Sequence, residues 1–80
     1  MKKIRVTYYA LLRKERGLAE EVVETEKNTV RELFDSLKSQ YRFTLSTSQV
    51  KAAINSKVVE WDFLLKDGDE ISFILPTTGG

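Results

Sequence analysis

The chain opens with an alternation of hydrophobic and polar residues, the period of a strand that is buried on one face. It predicts a first strand over residues 3–9 with an inward face made of Ile4, Val6 and Tyr8. Residues 19–26 place two valines between glutamates and predict a second strand. We therefore expect a hairpin with a long loop, in which residues 10–16 form a short helical turn closed by Gly17.

A helical period begins after Thr29. Thr29 and Glu32 have the spacing of a capping box, in which each side chain bonds the other residue's backbone N–H. Apolar residues then recur at intervals of three and four, which predicts one amphipathic helix to about residue 41. Its predicted buried face consists of Val30, Leu33, Phe34, Leu37 and Tyr41.

Short strands follow the helix. Residues 50–55 and 58–61 flank a turn, and residues 70–75 follow the turn signal Asp67-Gly68. The order β-β-α-β-β-β predicts an α+β fold, the ubiquitin-like β-grasp, with one main helix packed on one face of a mixed sheet of about five strands. A right-handed crossover then returns the last strand to lie beside the first.

Composition narrows the classes of function. The 80 residues, 41% hydrophobic and 31% charged, are typical of one small soluble domain. The absence of cysteine and histidine removes the commonest nucleophile and the commonest near-neutral base. A net charge of +1 gives no case for nucleic acid, and no segment predicts a membrane span or a signal peptide. We expect a cytoplasmic protein with no metal site and no bound cofactor.

Charge is unevenly distributed along the chain. The first sixteen residues contain six basic residues and only Glu15 in opposition, whereas residues 60–70 contain five acidic residues and only Lys66 in opposition. We interpret this distribution as charge pairing between neighbouring elements. A partner that docks on one pole of the molecule is the alternative.

The candidate reactive group lies in the last residues. We predict a β-grasp domain over residues 1–75 and a flexible C-terminal tail over residues 76–80, because a proline ends the strand there. Five residues extend roughly 16–18 Å, and glycine lets another protein's active site approach the backbone closely. We therefore predict that chemistry takes place on the Gly80 carboxylate. A frayed terminus that ends in glycines by chance is the alternative.

A tail of this kind needs a docking face elsewhere on the domain. Ordering it in a partner's channel costs about 1–2 kcal/mol of backbone entropy per residue, which contacts elsewhere must offset. Tyr9 and Ile74 point away from the core and are neighbours if the first and last strands pair. We predict that Tyr9, Val58 and Ile74 contact partner proteins. For Tyr9 and Ile74, cover by a loop of the same chain is the alternative.

These segments resemble the MoaD/ThiS sulfur-carrier family, and within it the small subunits of molybdopterin synthase. The resemblance covers essentially the whole chain and rests on residues 8–13 with Gly17, and on residues 29–33, 53–55, 58–59, 65–71 and 73–80. The family typically ends Phe-Phe-Pro-Pro-Val-(Ser/Thr)-Gly-Gly. This chain keeps the final glycines but has Ile74 in place of an interface aromatic and Leu75 in place of the first proline.

The resemblance implies a sulfur carrier with no activity of its own. An E1-like, MoeB-like adenylyltransferase would use ATP to adenylate Gly80, and a sulfur donor would then leave a thiocarboxylate there. The tail would enter the MoaE-like large subunit of molybdopterin synthase, where the sulfur builds the molybdopterin dithiolene on a cyclic pyranopterin precursor. The residues that would insert ahead of Gly80 are Pro76, Thr77, Thr78 and Gly79.

Two other classes of function stay open on the residues alone. A ubiquitin-like modifier, or a ThiS-like carrier for another pathway, shares the activation chemistry and differs in the acceptor of the acyl group or the sulfur. A β-grasp adaptor would bind partners through a sheet face or edge and would carry an inert tail.

Overall fold

The computed structural model describes residues 1–75, which form five strands and two helices. In chain order these are β1 (Lys2–Tyr8), α1 (Ala10–Arg16), β2 (Glu20–Thr25), α2 (Val30–Tyr41), β3 (Lys51–Ile54), β4 (Lys57–Val59) and β5 (Glu70–Ile74). The predicted tail of residues 76–80, and with it the predicted boundary of the domain, lies outside the described residues. No helix in residues 1–75 is long and apolar enough to cross a membrane.

The strands form one mixed sheet in the order β2-β1-β5-β3-β4. β1 and β5 occupy its centre and run parallel, with Val6 opposite Ile71 and Tyr8 opposite Phe73. The other pairs, β1 with β2, β3 with β5 and β3 with β4, are antiparallel. The first and last strands are therefore neighbours, as predicted, and the arrangement is the expected α+β β-grasp.

The core lies between α2 and one face of the sheet. Four of the five predicted helix residues are buried, and the fifth, Tyr41, is half-buried at the end of α2. Phe34 packs edge-on against Phe73 of β5, with ring centroids 5.0 Å apart, and Trp61 packs against both rings. This contact joins the helix to a central strand.

The predicted capping box starts α2. The Thr29 Oγ1 accepts a hydrogen bond from the Glu32 backbone N–H at 3.1 Å, and the Glu32 carboxylate accepts from the backbone N–H groups of Asn28 and Thr29. These N–H groups, that of Asn28 first, lower the pKa of Glu32. The carboxylate also sits at the positive end of the helix dipole.

The loop after β4 completes the start of α2. The Val30 N–H donates to the Phe63 carbonyl oxygen at 3.0 Å, and the Arg31 N–H donates to the Trp61 carbonyl oxygen at 2.9 Å. The amides of the first helical turn, which have no partner within a helix, are thereby satisfied. Because its carbonyl faces the helix, Trp61 is not part of a strand, and β4 ends at Val59 instead of the predicted residue 61.

Phe43 is one of the core residues that the periodicity of the sequence did not predict. Arg42 adopts a left-handed conformation, φ 58°, at the end of α2, and the next residue, Phe43, turns inward. Phe43 is 3% exposed and packs edge-on against Tyr8. The helical period ends at Tyr41, so it carries no signal for this turn.

We predict that Phe34→Ala lowers the free energy of unfolding by about 3–5 kcal/mol, because it removes a ring buried between α2 and β5. Urea unfolding followed by circular dichroism measures this loss. Phe63→Ala is the matched control, since Phe63 is 40% exposed, and it should cost far less. Equal losses in the two variants would contradict this assignment of the core.

Candidate functional site

The candidate docking site lies on the face of the sheet opposite α2. The register of the four strands places Thr7, Ser72, Ala53 and Val58 in one row across this face. Tyr8 pairs with Phe73, and the next residues along the two parallel strands are Tyr9 and Ile74. Tyr9 and Ile74 therefore lie side by side at the end of β1 and β5. The outward positions of distant segments therefore meet because the strands are in register.

The three predicted contact residues line a single open groove of about 350 Å³. Tyr9 is 48% exposed, Val58 67% and Ile74 36%, so no loop within residues 1–75 covers them. Ala53, Ser56 and Ser72 also line the groove. Large exposed apolar side chains surrounding small residues form a socket suited to an apolar side chain of another protein.

Tyr9 is fixed in place by the change from strand to helix. Its backbone is extended, and its carbonyl oxygen accepts from the Leu12 N–H at 3.1 Å, which begins α1. Ala10 turns the chain with a left-handed φ of 50°, and the buried Leu12 anchors α1 to the core. The Tyr9 side chain is thus held at the rim of the groove although it lies between two elements.

A polar network on the helix side of the sheet supports this corner. The Glu21 carboxylate accepts two hydrogen bonds from the Arg16 guanidinium, at 2.7 and 2.8 Å, and one from the Tyr8 hydroxyl at 2.6 Å. The guanidinium also lies 3.9 Å from the ring centroid of Tyr41. Four elements, β1, α1, β2 and α2, therefore meet in one charge-assisted cluster.

The cluster fixes the charge of each member. The hydrogen bonds from Arg16 are the main cause that lowers the pKa of Glu21, and the same bonds raise the pKa of Arg16. Burial, followed by the hydrogen bond to Glu21, raises the pKa of Tyr8. At neutral pH the cluster is an ion pair with a neutral phenol on the face away from the groove. Its role is to position β1 and α1.

Sequence reasoning missed part of the site. Ser56 reaches the groove because Asn55 and Ser56 both take left-handed conformations, φ 49° and 75°, in the tight turn between β3 and β4. The sequence does contain a signal for the Glu21 cluster. Glu21 shares a face of β2 with Val23 and Thr25, and a glutamate on a core-facing position requires a cationic partner.

The predicted reaction centre at Gly80, and the tail residues that precede it, lie outside the described residues. The structure does describe the residues just before them: Ile74 lines the groove and Leu75 packs partly against the core. The groove therefore borders the point at which residues 76–80 begin. Within residues 1–75, no group of three His, Cys, Asp or Glu side chains is arranged to hold a metal ion.

Comparison with known proteins identifies the family. Residues 6–80 match the ThiS family. The molybdopterin synthase sulfur carrier subunit of Escherichia coli (strain K12) is 32% identical to this chain over 80 residues, which cover 96% of this chain and 99% of that protein. The chain belongs to the ThiS family, and its resemblance to the MoaD/ThiS carriers is confirmed.

Solved structures agree with this assignment. A putative molybdopterin converting factor subunit 1 from Pyrococcus furiosus superimposes with a TM-score of 0.80 at 30% identity, over 96% of this chain and all of that one. Two further likenesses show the fold alone. One is the complex of subunits 1 and 2 of the Helicobacter pylori 26695 molybdopterin-converting factor, with TM-score 0.69, 22% identity and coverage of 98% and 99% of the two chains. The other is small archaeal modifier protein 1 of H. volcanii, with TM-score 0.81, 16% identity and coverage of 96% and 100%.

We predict that Glu21→Gln makes stability less dependent on pH in acid. Because the folded-state pKa of Glu21 is lowered, its contribution is complete above the unfolded-state value of about 4.3 and is lost as pH falls through the folded-state value. Urea midpoints measured between neutral pH and acid should fall less steeply in the variant. At pH 7 it should be less stable by about 1.5–3 kcal/mol, the scale of a charged hydrogen bond.

Glu24→Gln is the control for this experiment. Glu24 lies on the same strand, is exposed, and forms no ion pair among the described residues. It should keep the acid dependence of the wild type. An unchanged acid slope in Glu21→Gln would show that the Arg16 contacts do not shift this carboxyl.

Proposed function

We propose that this chain is the sulfur-carrying small subunit of a molybdopterin synthase. Membership of the ThiS family supports a carrier. Identity of 32% along nearly the whole of a sulfur carrier subunit of molybdopterin synthase supports this branch of the family. The structural observation that carries the proposal is the exposed groove of Tyr9, Val58 and Ile74 beside the end of β5.

The chain is activated and loaded with sulfur at Gly80, and the family match extends to this residue. A MoeB-like activating enzyme binds ATP, and a carboxylate oxygen of Gly80 attacks the α-phosphorus, releasing pyrophosphate and leaving an acyl adenylate. A sulfur donor then attacks the acyl carbon and AMP leaves. The product is a C-terminal thiocarboxylate, whose sulfur is softer and less tightly solvated than a carboxylate oxygen and is therefore the better nucleophile.

The tail, now carrying the thiocarboxylate, then enters a MoaE-like large subunit. There the thiocarboxylate sulfur attacks a carbon of the cyclic pyranopterin precursor and displaces an oxygen leaving group, which joins the carrier to the pterin as a thioester. Water then hydrolyses the acyl–sulfur bond, so the sulfur stays on the pterin and the carrier leaves with its carboxylate restored. Each charged carrier delivers one sulfur atom, so the dithiolene of molybdopterin consumes two of them. The large subunit supplies the substrate pocket and the acid–base groups. The carrier supplies the sulfur, the docking groove and no bound cofactor, and it acts in the cytoplasm.

The length of the tail limits how far from the groove a partner's reaction centre can lie. Residues 76–80 span at most roughly 16–18 Å when extended, so a partner that holds the groove must place its reaction centre within that distance. Ile74, where the family usually has an aromatic, presents a smaller and branched side chain to the groove. We infer that the large subunit's contacting surface is shaped for an aliphatic side chain at this position.

We predict that deletion of Gly80 abolishes sulfur loading. Incubation with ATP, the activating enzyme and a sulfide source should raise the intact mass of the wild-type chain by the exchange of one oxygen atom for sulfur, located at Gly80. The deletion variant should show no such gain. Its urea midpoint should equal that of the wild type, because Gly80 has no side chain to pack and every described core residue is kept.

The same experiment separates the alternatives. Wild-type chains that gain sulfur and pass it to the pterin precursor in the presence of the large subunit support the proposal. Conjugates joined through Gly80 to lysines of other proteins, without transfer to the pterin, indicate a ubiquitin-like modifier. An adaptor with an inert tail predicts no mass change and normal function in the deletion variant.

We predict that Tyr9→Ala and Ile74→Asp each weaken binding to the large subunit by about 2 kcal/mol or more, as expected of residues central to an interface. Isothermal titration calorimetry measures the affinities. Val22→Asp is the matched control for Ile74→Asp, because Val22 is 59% exposed on another strand and does not line the groove. If both groove variants bind as tightly as the control, the groove is not the docking face.

A further inference from the structure

The fold sorts charge between its two ends. β1 and β5 run parallel, so both finish at the same end of the sheet, and β3 begins there with Lys51 opposite Ile74. α1 follows β1 directly, and α2 also finishes at this end, because residues 42–50 lead from it into β3. Between residues 38 and 51 there are three basic residues and no acidic residue. This is the end from which residues 76–80 continue.

The opposite end holds the acidic stretch, together with the exposed Lys3 and Lys57. It contains residues 60–70, with five acidic residues and one lysine. The Lys3 backbone N–H donates to the Asp67 carboxylate there, at 2.7 Å. The basic first sixteen residues therefore do not form one pole: β1 begins at the acidic end and α1 lies at the other. Pairing between neighbouring elements accounts for Arg5 and Arg16, which pair with Glu20 and Glu21 of β2. Within residues 1–75 the acidic stretch forms one ion pair, that of Arg31 with Asp62.

Four exposed cations stand at the end where β5 finishes, and we call them the cationic rim: Arg13, Lys14, Arg42 and Lys51. None of them forms an ion pair with another described residue. The carboxylates at this end already have partners. Glu21 binds Arg16, Glu20 pairs with Arg5, and Glu15 accepts two hydrogen bonds from Thr44. Glu15 keeps its negative charge, because Thr44 is neutral, but the four cations outnumber it, so the field of the rim is only partly offset.

The rim is continuous with the docking groove. Lys51 is the cross-strand partner of Ile74, which lines the groove. On the other side Tyr9, also a lining residue, leads directly into α1, which carries Arg13 and Lys14. A protein that covers the groove and receives residues 76–80 must therefore face the rim as well.

We propose that the cationic rim steers this chain onto an acidic surface of the activating enzyme that adenylates Gly80. The inference rests on the proposed function and names the chemistry of one partner surface. The activating enzyme must capture a carrier that has not yet received sulfur and must release it in every cycle. Charges at the border of an interface suit this task, because they raise the association rate without burying area that would slow release. The large subunit covers the groove and so faces the rim too, but its affinity is assigned to the apolar contact, and we expect it to depend less on these charges.

The test compares two variants with the same change in net charge. One replaces the rim, Arg13→Gln, Lys14→Gln, Arg42→Gln and Lys51→Gln. The other replaces exposed lysines outside the rim, Lys3→Gln, Lys27→Gln, Lys57→Gln and Lys66→Gln. The cognate activating enzyme and ATP are the probe, and pyrophosphate release gives kcat/KM for adenylation at low and high salt. Equal circular dichroism spectra and urea midpoints establish that both variants fold.

We expect the rim variant to lose about tenfold in kcat/KM at low salt, with kcat unchanged and with the loss shrinking as salt is added. The control variant should change less than twofold. The proposal is overturned if the two variants behave alike, or if the rim variant keeps the salt dependence of the wild type. It is also overturned if calorimetry shows an equal loss of affinity for the large subunit. A wild-type chain that is not adenylated at all would reject the proposed function itself, and the steering role with it.

Discussion

The parallel pairing of β1 with β5 is the constraint on which the rest of the structure depends. These strands come from opposite ends of the described chain, and together they form the centre of the sheet. Their inward residues give α2 its packing surface. Their outward residues and shared end bring Tyr9 to Ile74, and thus create the groove. Because parallel strands finish together, α1 and the exit of β5 lie side by side. The core, the groove and the cationic rim all result from the parallel pairing of β1 with β5.

Much of this arrangement follows from local patterns. Alternation identified the inward face of β1 and the outward position of Ile74 in β5, and the period of α2 identified the four helix residues that are buried. The capping box placed the start of α2 correctly, because the contacts of Thr29 and Glu32 lie within one turn. Tyr9 and Ile74 were predicted to point outward and Val58 to contact partners, and all three line the groove. Signals of this kind depend on neighbours in sequence.

The features that were missed depend on contacts between distant segments. β4 is shorter than its apolar residues indicated, because the Trp61 carbonyl serves the helix and not a ladder. Phe43 is buried because Arg42 turns the chain after the period of α2 has ended. Pairing between neighbours explains only part of the charge distribution, because Arg5 and Arg16 pair with β2 whereas the acidic stretch forms one ion pair among the described residues. A run of basic residues along the sequence is divided between opposite ends of the molecule once β1 spans the sheet.

The central position of β5 also has a consequence for how the protein acquires its structure. Val6 meets Ile71 only after the intervening chain has closed into a loop, and contacts between such distant residues slow folding. A nascent chain can form the β1–β2 hairpin and α2 early, but β1 keeps one bare edge until the final strand has been synthesised. During translation that edge is open to pairing with other chains. Within the described residues the sheet is therefore completed last at its centre, once β5 can reach β1.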